Sequence, residues 1–337
     1  MAQQHKASLL PQKHGKLEVG TRPTPTPEGK QALVKVTAAA INPLDWKIID
    51  YGLFVETFPA VLGFDGAGVI HAVGPEVAGF KVGDRVIFQG PLNPVDQAVY
   101  QQYAIVDTDI LAKAPNNIND DQASTIPTGA FTAYSALFQK TGISPPLSGP
   151  TASGKSILIL GGISTQPSNS PVSIAGFSTI ATTASSQHAD LLKSLGATHV
   201  FDRDVDVKTI QSAFVTPVSL VFDTISLDST QLFAFDVLTT PSPVPGARLS
   251  ILLQPVDSLT EKNSGDKIIV DEIYGSSHAA RDLSVPFWQK IEEWTESGEL
   301  VPNRVQLVNG GLAGIPEALD LSRKGVSGVK IVVRPQE

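Results

Sequence analysis

Apolar positions follow two rhythms along the 337 residues. Residues 32–39, Ala-Leu-Val-Lys-Val-Thr-Ala-Ala, alternate as a half-buried strand does, and the proline-rich residues 22–29 before them read as an extended connector. Residues 59–74 set glycines among β-branched and apolar side chains, which predicts a tightly curved strand with close backbone approaches. A Gly83-Asp84 turn then leads into another apolar strand, so the first half of the chain is β-rich. From Ser156 the rhythm changes. Ile-Leu-Ile-Leu is an unbroken apolar run that ends on Gly161-Gly162, and further apolar runs follow at 177–185, 196–203, 219–225, 248–253 and 267–270, with a helix between at 189–195. This is a βα pattern of parallel strands, and it fades by about Gly275.

The junction after the first of these strands carries the most chemistry. Paired glycines at a βα turn let backbone N–H groups approach a pyrophosphate at the positive end of a helix. The third glycine of the dinucleotide fingerprint is absent, and Pro167 and Pro171 stand where the helix should begin. Ser170-Pro171 can serve as N-cap and first helical residue, which leaves only Val172 to Ala175 before Gly176 and predicts a helix of one turn or none. A core strand ending in a loop is the alternative reading. Ser164, Thr165 and Ser168 are hydroxyls that could compensate for the shortened helix.

Composition narrows the class. The length exceeds what one core supports, so two domains are expected, and 42% hydrophobic with 17% charged residues describes a globular protein. A net charge of -8 without a Lys/Arg run excludes a nucleic-acid footprint. Cysteine is absent, which removes disulfides, thiolate catalysis and sulfur-built zinc sites. The polar Met1-Ala-Gln-Gln-His-Lys6 and the absence of any apolar run of membrane-spanning length predict a cytoplasmic protein with no membrane partner.

The segments Asn42-Pro-Leu-Asp-Trp-Lys47, Gly63-Phe-Asp-Gly-Ala-Gly68 and Gly79-Phe-Lys-Val-Gly-Asp-Arg85 resemble the medium-chain dehydrogenase/reductase superfamily. Within it they look like the zinc-independent quinone reductases and the fungal stand-alone enoyl reductases that act in trans on polyketide synthases. Tyr274-Gly-Ser-Ser-His278, residues 311–319 and residues 328–334 fit the same pattern, so the resemblance covers nearly the whole chain. It implies an α/β protein. A GroES-like β-barrel domain, residues 1–150 and 276–337, would carry an inserted Rossmann domain of doubly wound parallel sheet, residues 151–275, with the active-site cleft between them.

In zinc-dependent alcohol dehydrogenases of the superfamily, a Cys, a Gly-His-Glu segment and a further ligand hold the metal. Here Gly63-Phe64-Asp65 stands at that segment, and none of His5, His14, His71, His188, His199 and His278 has ligand spacing to a second His. No metal is expected. Alcohol oxidation needs an alkoxide, for which a Lewis acid is the usual device. A conjugated enone, enoyl thioester or quinone accepts hydride at carbon instead, with its charge held on oxygen by hydrogen-bond donors.

About 20 residues past the glycines, where a ribose-reading carboxylate is expected, the chain offers Ser185, Ser186, Gln187 and His188. An acid there would repel a 2′-phosphate, whereas hydroxyls and an imidazole can receive one, so NADPH is the expected cofactor. The two serines could equally just cap the helix at 189–195. Arg203 can add positive charge beside that phosphate or form a surface ion pair. The glycine turn puts Gly161 and Gly162 in the cofactor set, the end of the strand at 219–225 adds Thr224, and the resemblance adds Gly275 and Ser276.

The resemblance also places Asn42, Asp45, Lys47 and Tyr51 along the cleft wall and Thr132 beside the nicotinamide carboxamide. Lys47 would hold a phosphate or an incipient enolate, and Tyr51 would donate a proton or hydrogen bond. The plainer readings are a solvated lysine, a core Trp46, and a Thr132 bonded back to its own helix. Phe287, Trp288, Ile291 and Trp294 recur at helical spacing and form a packing face. The implied activity is NADPH-dependent reduction of an activated double bond in an α,β-unsaturated carbonyl or quinone, free or carrier-bound. The competing reading, motivated by Pro167, Pro171 and the missing glycine, is a non-catalytic relative whose decayed site serves as a binding or scaffold domain. An exposed strand of the cofactor domain can pair across a two-fold axis, so the oligomeric state stays open.

Overall fold

The computed structural model describes residues 3–162 and 166–337, without the side chains of 166–170. In chain order, β1 (Gln4–Leu10), β2 (Glu18–Pro23) and β3 (Gln31–Ala40) lead to helix α1 (Pro43–Tyr51). Then follow β4 (Ala60–Val61), β5 (Asp65–Val73), β6 (Arg85–Gln89), β7 (Tyr103–Asp107) and β8 (Leu111–Lys113), and the helices α2 (Asp120–Ala123) and α3 (Pro127–Phe138). The middle of the chain alternates β9 (Ser156–Leu160), α4 (Gln166–Ala175), β10 (Thr179–Thr183), α5 (Ala189–Ser194), β11 (His199–Phe201) and α6 (Val207–Ser212). It continues with β12 (Leu220–Asp223), α7 (Asp228–Thr239), β13 (Arg248–Ile251), α8 (Asp257–Lys262) and β14 (Ile269–Glu272). The chain ends with α9 (Arg281–Glu296), β15 (Val305–Leu307), α10 (Ile315–Lys324) and β16 (Lys330–Val333).

Two compact units result, one from residues 1–128 and 276–337, the other from 129–275. The first crossing lies earlier than the expected position near residue 150, because α3 belongs with the second unit.

The first unit holds a seven-stranded sheet in the order β15-β16-β3-β5-β6-β8, with β7 also paired to β3, and a three-stranded sheet β2-β1-β4. Register shifts between Leu33 and Val34 and between Val36 and Ala38 bend β3 against β5. The glycines of β5 are explained by space: a Cβ on Gly68 would lie 2.2 Å from the carbonyl oxygen of Lys35. The core gathers Val34, Val36, Ile70, Val86 and Phe88 with Leu312, Ile315 and Leu319 from the C-terminal segment. On α9, Phe287, Trp288, Ile291 and Trp294 are all buried, as their helical spacing predicts.

The second unit is a six-stranded, all-parallel sheet in the order β11-β10-β9-β12-β13-β14. Numbered within the unit this is 3-2-1-4-5-6, the doubly wound order, and the reversal at β9 makes its carboxyl end the place where such sheets bind ligands. Ile157 to Leu160 are all buried, as a strand covered on both faces demands.

One expectation is corrected. The helix after the glycine turn is neither absent nor a single turn: α4 runs for 10 residues and contains Pro171. Pro171 has no N–H for the carbonyl four residues earlier, so α4 keeps its length at the cost of one rung near its start. Among the described residues no helix is long and apolar enough to cross a membrane.

Candidate active site

The expected cofactor-binding residues gather around the carboxyl end of β9. Gly161 has φ +80°, and a Cβ there would meet Ile225 at 2.6 Å and Thr224 Oγ1 at 2.8 Å; on Gly162 it would meet Thr182 Oγ1 at 2.1 Å. Only glycine fits between the two neighbouring strand ends. The N–H of Gly161 donates to Thr183 Oγ1 and that of Gly162 to the Thr183 carbonyl, both at 3.2 Å. The pair is therefore packed tightly against those strand ends, with both amides engaged. Thr224 Oγ1 donates to the Leu160 carbonyl at 2.8 Å and ties the end of β12 to the glycine turn. Behind it the buried Asp223 accepts from the N–H groups of Ile225 and Ser226 and from the Thr230 hydroxyl, which fixes the loop that carries Thr224. Burial raises the Asp223 carboxyl above the usual range, and those donors pull it back.

At the neighbouring strand ends, β10 and β11 pair Thr183 with Phe201. Ser185 and Arg203 each stand two residues beyond that pair, so the register brings them to the same edge. Arg203 is exposed and forms no ion pair among the described residues, which removes the ion-pair alternative. Ser185 precedes a single 3-10 turn, and its hydroxyl caps nothing; His188, not either serine, is the N-cap residue of α5. The exposed Ser186 hydroxyl has no partner among the described residues either. His188 is buried, with its Nε2 3.2 Å from the Gln187 amide nitrogen. Ser164 and Thr165 lie outside the described residues, as does the side chain of Ser168.

Further along the same unit Gly275 packs on Thr132 of α3, its missing Cβ leaving room for the Thr132 side chain. Ser276 opens the next unit's chain segment, where its hydroxyl accepts from the Ala279 N–H at 3.3 Å.

In the first unit, the expected catalytic residues Asn42, Lys47 and Tyr51 lie on α1 or at its N-cap. Asn42 stands at its N-cap, Pro43 at the first helical position, and Gly52 ends it in the left-handed region at φ +62°. Asp45 sits in the first turn, fully buried, with Oδ2 accepting from the Asn42 N–H at 2.6 Å and from the Tyr100 hydroxyl at 2.7 Å. Burial pushes the Asp45 carboxyl up to about 7, against the Tyr100 hydrogen bond. The Asn42 side chain donates to Asp65 Oδ2 at 3.0 Å and accepts from Lys330 Nζ at 2.5 Å. Asn42 is thus a buried structural linchpin rather than a group presented to a ligand. Lys47 is half-buried with no hydrogen-bond or ion-pair partner among the described residues; its Nζ lies 5.7 Å from the Trp46 ring centre. Burial lowers its proton affinity. Tyr51 is 61% exposed, its ring 6.1 Å from that of Trp46.

Residues 28–116, the stretch that contains β3, α1 and the strands around them, match the alcohol dehydrogenase GroES-like domain. The chain is 32% identical to the trans-enoyl reductase tndF of Aspergillus flavipes, with 99% of each chain covered. The chain belongs to the medium-chain dehydrogenase/reductase superfamily. The trans-enoyl reductase himH of Aspergillus japonicus is also 32% identical, over 94% of this chain and 93% of its own length. Among solved structures, an alcohol dehydrogenase superfamily protein from Novosphingobium aromaticivorans shares the fold with a TM-score of 0.80 at 23% identity, covering 98% of this chain and 99% of that one. The quinone oxidoreductase of Coxiella burnetii does so with a TM-score of 0.73 at 21% identity and the same coverage.

Sequence reasoning about this superfamily member missed the buried polar cluster behind α1. Asp65 has no exposure; its Oδ1 accepts from the Thr128 N–H at 2.8 Å and hydroxyl at 2.5 Å, and its Oδ2 faces Lys330 Nζ at 3.2 Å. Gln89 donates to the Thr128 hydroxyl and accepts from the Ser277 N–H. The signal was present: an aspartate in a glycine-rich apolar strand and a lysine opening the apolar Lys-Ile-Val-Val of β16 are charges that burial forces to pair.

Proposed function

We propose that this oxidoreductase is an NADPH-dependent, metal-independent reductase of activated carbon–carbon double bonds, taking an α,β-unsaturated carbonyl or quinone, free or carrier-bound. The observation that carries the reading is the reversal point of the parallel sheet, where only glycine fits at positions 161 and 162 and the adjoining strand ends carry the half-buried Ser185 and the exposed Ser186 and Arg203. The full-length likeness to two trans-enoyl reductases supports the substrate class.

A bound nicotinamide supplies the hydride for the electrophilic carbon. The chain has to hold the dinucleotide, settle the charge that develops on the substrate oxygen and bring a proton. Gly161, Gly162, Thr224 and Gly275 would accept the cofactor backbone, and Ser185, Ser186 and Arg203 would receive a 2′-phosphate, with no carboxylate at the end of β10 to repel it. Lys47 is the group suited to the charge. Its ammonium is partly desolvated and unpaired, so an anionic phosphate or enolate oxygen beside it relieves a penalty already present in the free protein. Tyr51, exposed on the same helix, is the proton donor we assign beside solvent.

The side chains available support metal independence. Both oxygens of Asp65 are taken up by Thr128, Asn42 and the Lys330 ammonium, and among the described residues no three His, Asp or Glu side chains converge.

A fluorescence titration of the protein with NADPH and NADH, followed by turnover of crotonyl N-acetylcysteamine thioester and of 9,10-phenanthrenequinone, tests the reading. Saturable NADPH binding with reduction of either acceptor is expected. No saturable signal at millimolar NADPH would overturn it and leave the non-catalytic binding protein as the better account.

A further inference from the structure

Helix α1 has nine residues, too few to be held by its own hydrogen bonds, so its position is imposed by what it packs on, through the buried Ile48, and by what grips its ends. Both grips come from one short stretch of chain. At the N-terminal end, Lys330 from β16 places its ammonium 2.5 Å from Asn42 Oδ1 and 3.2 Å from Asp65 Oδ2, while Asp65 takes the Asn42 amide. At the C-terminal end, Arg323 from α10 makes a two-pronged bond to Asp50, Nε to Oδ2 at 2.8 Å and Nη2 to Oδ1 at 2.9 Å. The same guanidinium lies 5.6 Å from the Trp46 ring centre, and the Lys47 ammonium lies 5.7 Å from that ring. His14 Nδ1 adds a donor to the Ile49 and Asp50 carbonyls, each at 3.2 Å.

The two grips differ in kind. The Lys330 contact is buried, its side chain 13% exposed against a fully enclosed Asp65, so the ammonium and carboxylate are held in one arrangement. The Arg323 fork is partly exposed, and its value lies in fixed bidentate geometry and the ring beneath it. Together they fix both the start and the end of the helix, and Lys47 stands between them.

We propose that Lys330 and Arg323 are positioning residues for Lys47, so that the C-terminal segment from α10 to β16 acts as a frame that sets where the Lys47 ammonium stands. Neither residue needs to touch substrate or cofactor. The inference rests on the reading above that Lys47 carries negative charge during turnover.

Double-mutant cycles decide it. The frame is weakened in three ways: Arg323→Met, the charge-balanced pair Asp65→Asn with Lys330→Met, and the conservative Arg323→Lys and Lys330→Arg. Each is made alone and with Lys47→Ala, and kcat/KM for crotonyl N-acetylcysteamine thioester is measured with NADPH, alongside thermal melting. Arg323→Met and the charge-balanced pair should each lower kcat/KM about tenfold when Lys47 is present and less than about twofold when it is alanine, because groups that act through one another do not add. The conservative variants should recover part of the loss. Equal losses in both backgrounds would show a merely structural role and overturn the inference, as would no loss in either. Lys47→Ala with full activity would instead remove the role given to Lys47, a different failure that the same data identify. If the charge-balanced pair does not fold, Arg323→Met alone carries the decision, since its partners are partly solvated.

Discussion

A Cβ placed on Gly275 would fall 2.0 Å from Oγ1 of Thr132 and 2.8 Å from its Cα. The first clash is with a side chain and the second with backbone, so the two respond differently to mutation. Gly275→Ala should cost about 1–3 kcal/mol by overpacking and lower the melting temperature. Adding Thr132→Ala removes the hydroxyl but leaves Cα and Cβ in place, so only part of the loss should return. Full recovery in the double variant would mean that the chain after β14 moves more freely than this contact implies.

Thr224 performs a different task in the same unit. Its hydroxyl reaches the Leu160 carbonyl at 2.8 Å, with the Gly161 carbonyl at 3.1 Å, and so couples the end of β12 to the glycine turn. Thr224→Val keeps the shape and deletes the donor. A loss of about 0.5–1.5 kcal/mol in stability is expected. The NADPH dissociation constant should rise several-fold, read from the nicotinamide fluorescence titration. Unchanged affinity would place Thr224 outside the cofactor set.

The second unit was legible in order because its strands are short apolar runs bounded by glycine and polar residues, a local signal. The helix after the glycines was misjudged for an equally local reason: proline rules favour Pro171 at a first helical position, whereas α4 tolerates it further in. The buried cluster was legible only as two charges in apolar strands, not as a pair. Lys330 and Asn42 are 288 positions apart, and only the pairing of β16 with β3 brings them together. Lys47 and Tyr51 were named from a motif; their helix explains the grouping, but the motif says nothing of Arg323 and Lys330 at its ends.

Asp45 gives the cluster a pH signature. Its Oδ1 is buried without a partner, Asp65 adds a like charge, and the Lys330 ammonium and the Tyr100 hydroxyl only partly offset these, so the folded protein raises the carboxyl to about 7. Unfolded, the group titrates near 4. The folded state therefore holds a proton that the unfolded chain has released between about pH 4 and 7, and this contribution to stability is fully present below pH 4 and lost as pH rises through 7. Asp45→Asn mimics the protonated form. It should match the parent near pH 4, gain on it steadily as pH rises towards 7, and exceed it by up to roughly 4 kcal/mol at pH 8, measured from urea midpoints. Equal destabilisation at both pH values would show that the carboxyl is ionised throughout.

On the proposed reading, cofactor choice turns on the edge shared by β10 and β11. Ser185 and Arg203 occupy equivalent places beyond the paired Thr183 and Phe201, and neither side chain is tied down. A carboxylate introduced at Ser185 would stand where a ribose 2′-hydroxyl is read and would repel a 2′-phosphate. Ser185→Asp should therefore weaken NADPH at least about tenfold and leave NADH unchanged or improved, since a like charge about 4 Å away costs about 4 kcal/mol near a protein surface, against about 1.4 kcal/mol per tenfold. Arg203→Ala should weaken NADPH alone, by a smaller factor that shrinks as salt is raised, because an exposed guanidinium acts through a screened field. If both variants changed NADPH and NADH in parallel, the edge would be contributing to fold rather than to phosphate recognition, and the assignment of NADPH would have to be withdrawn.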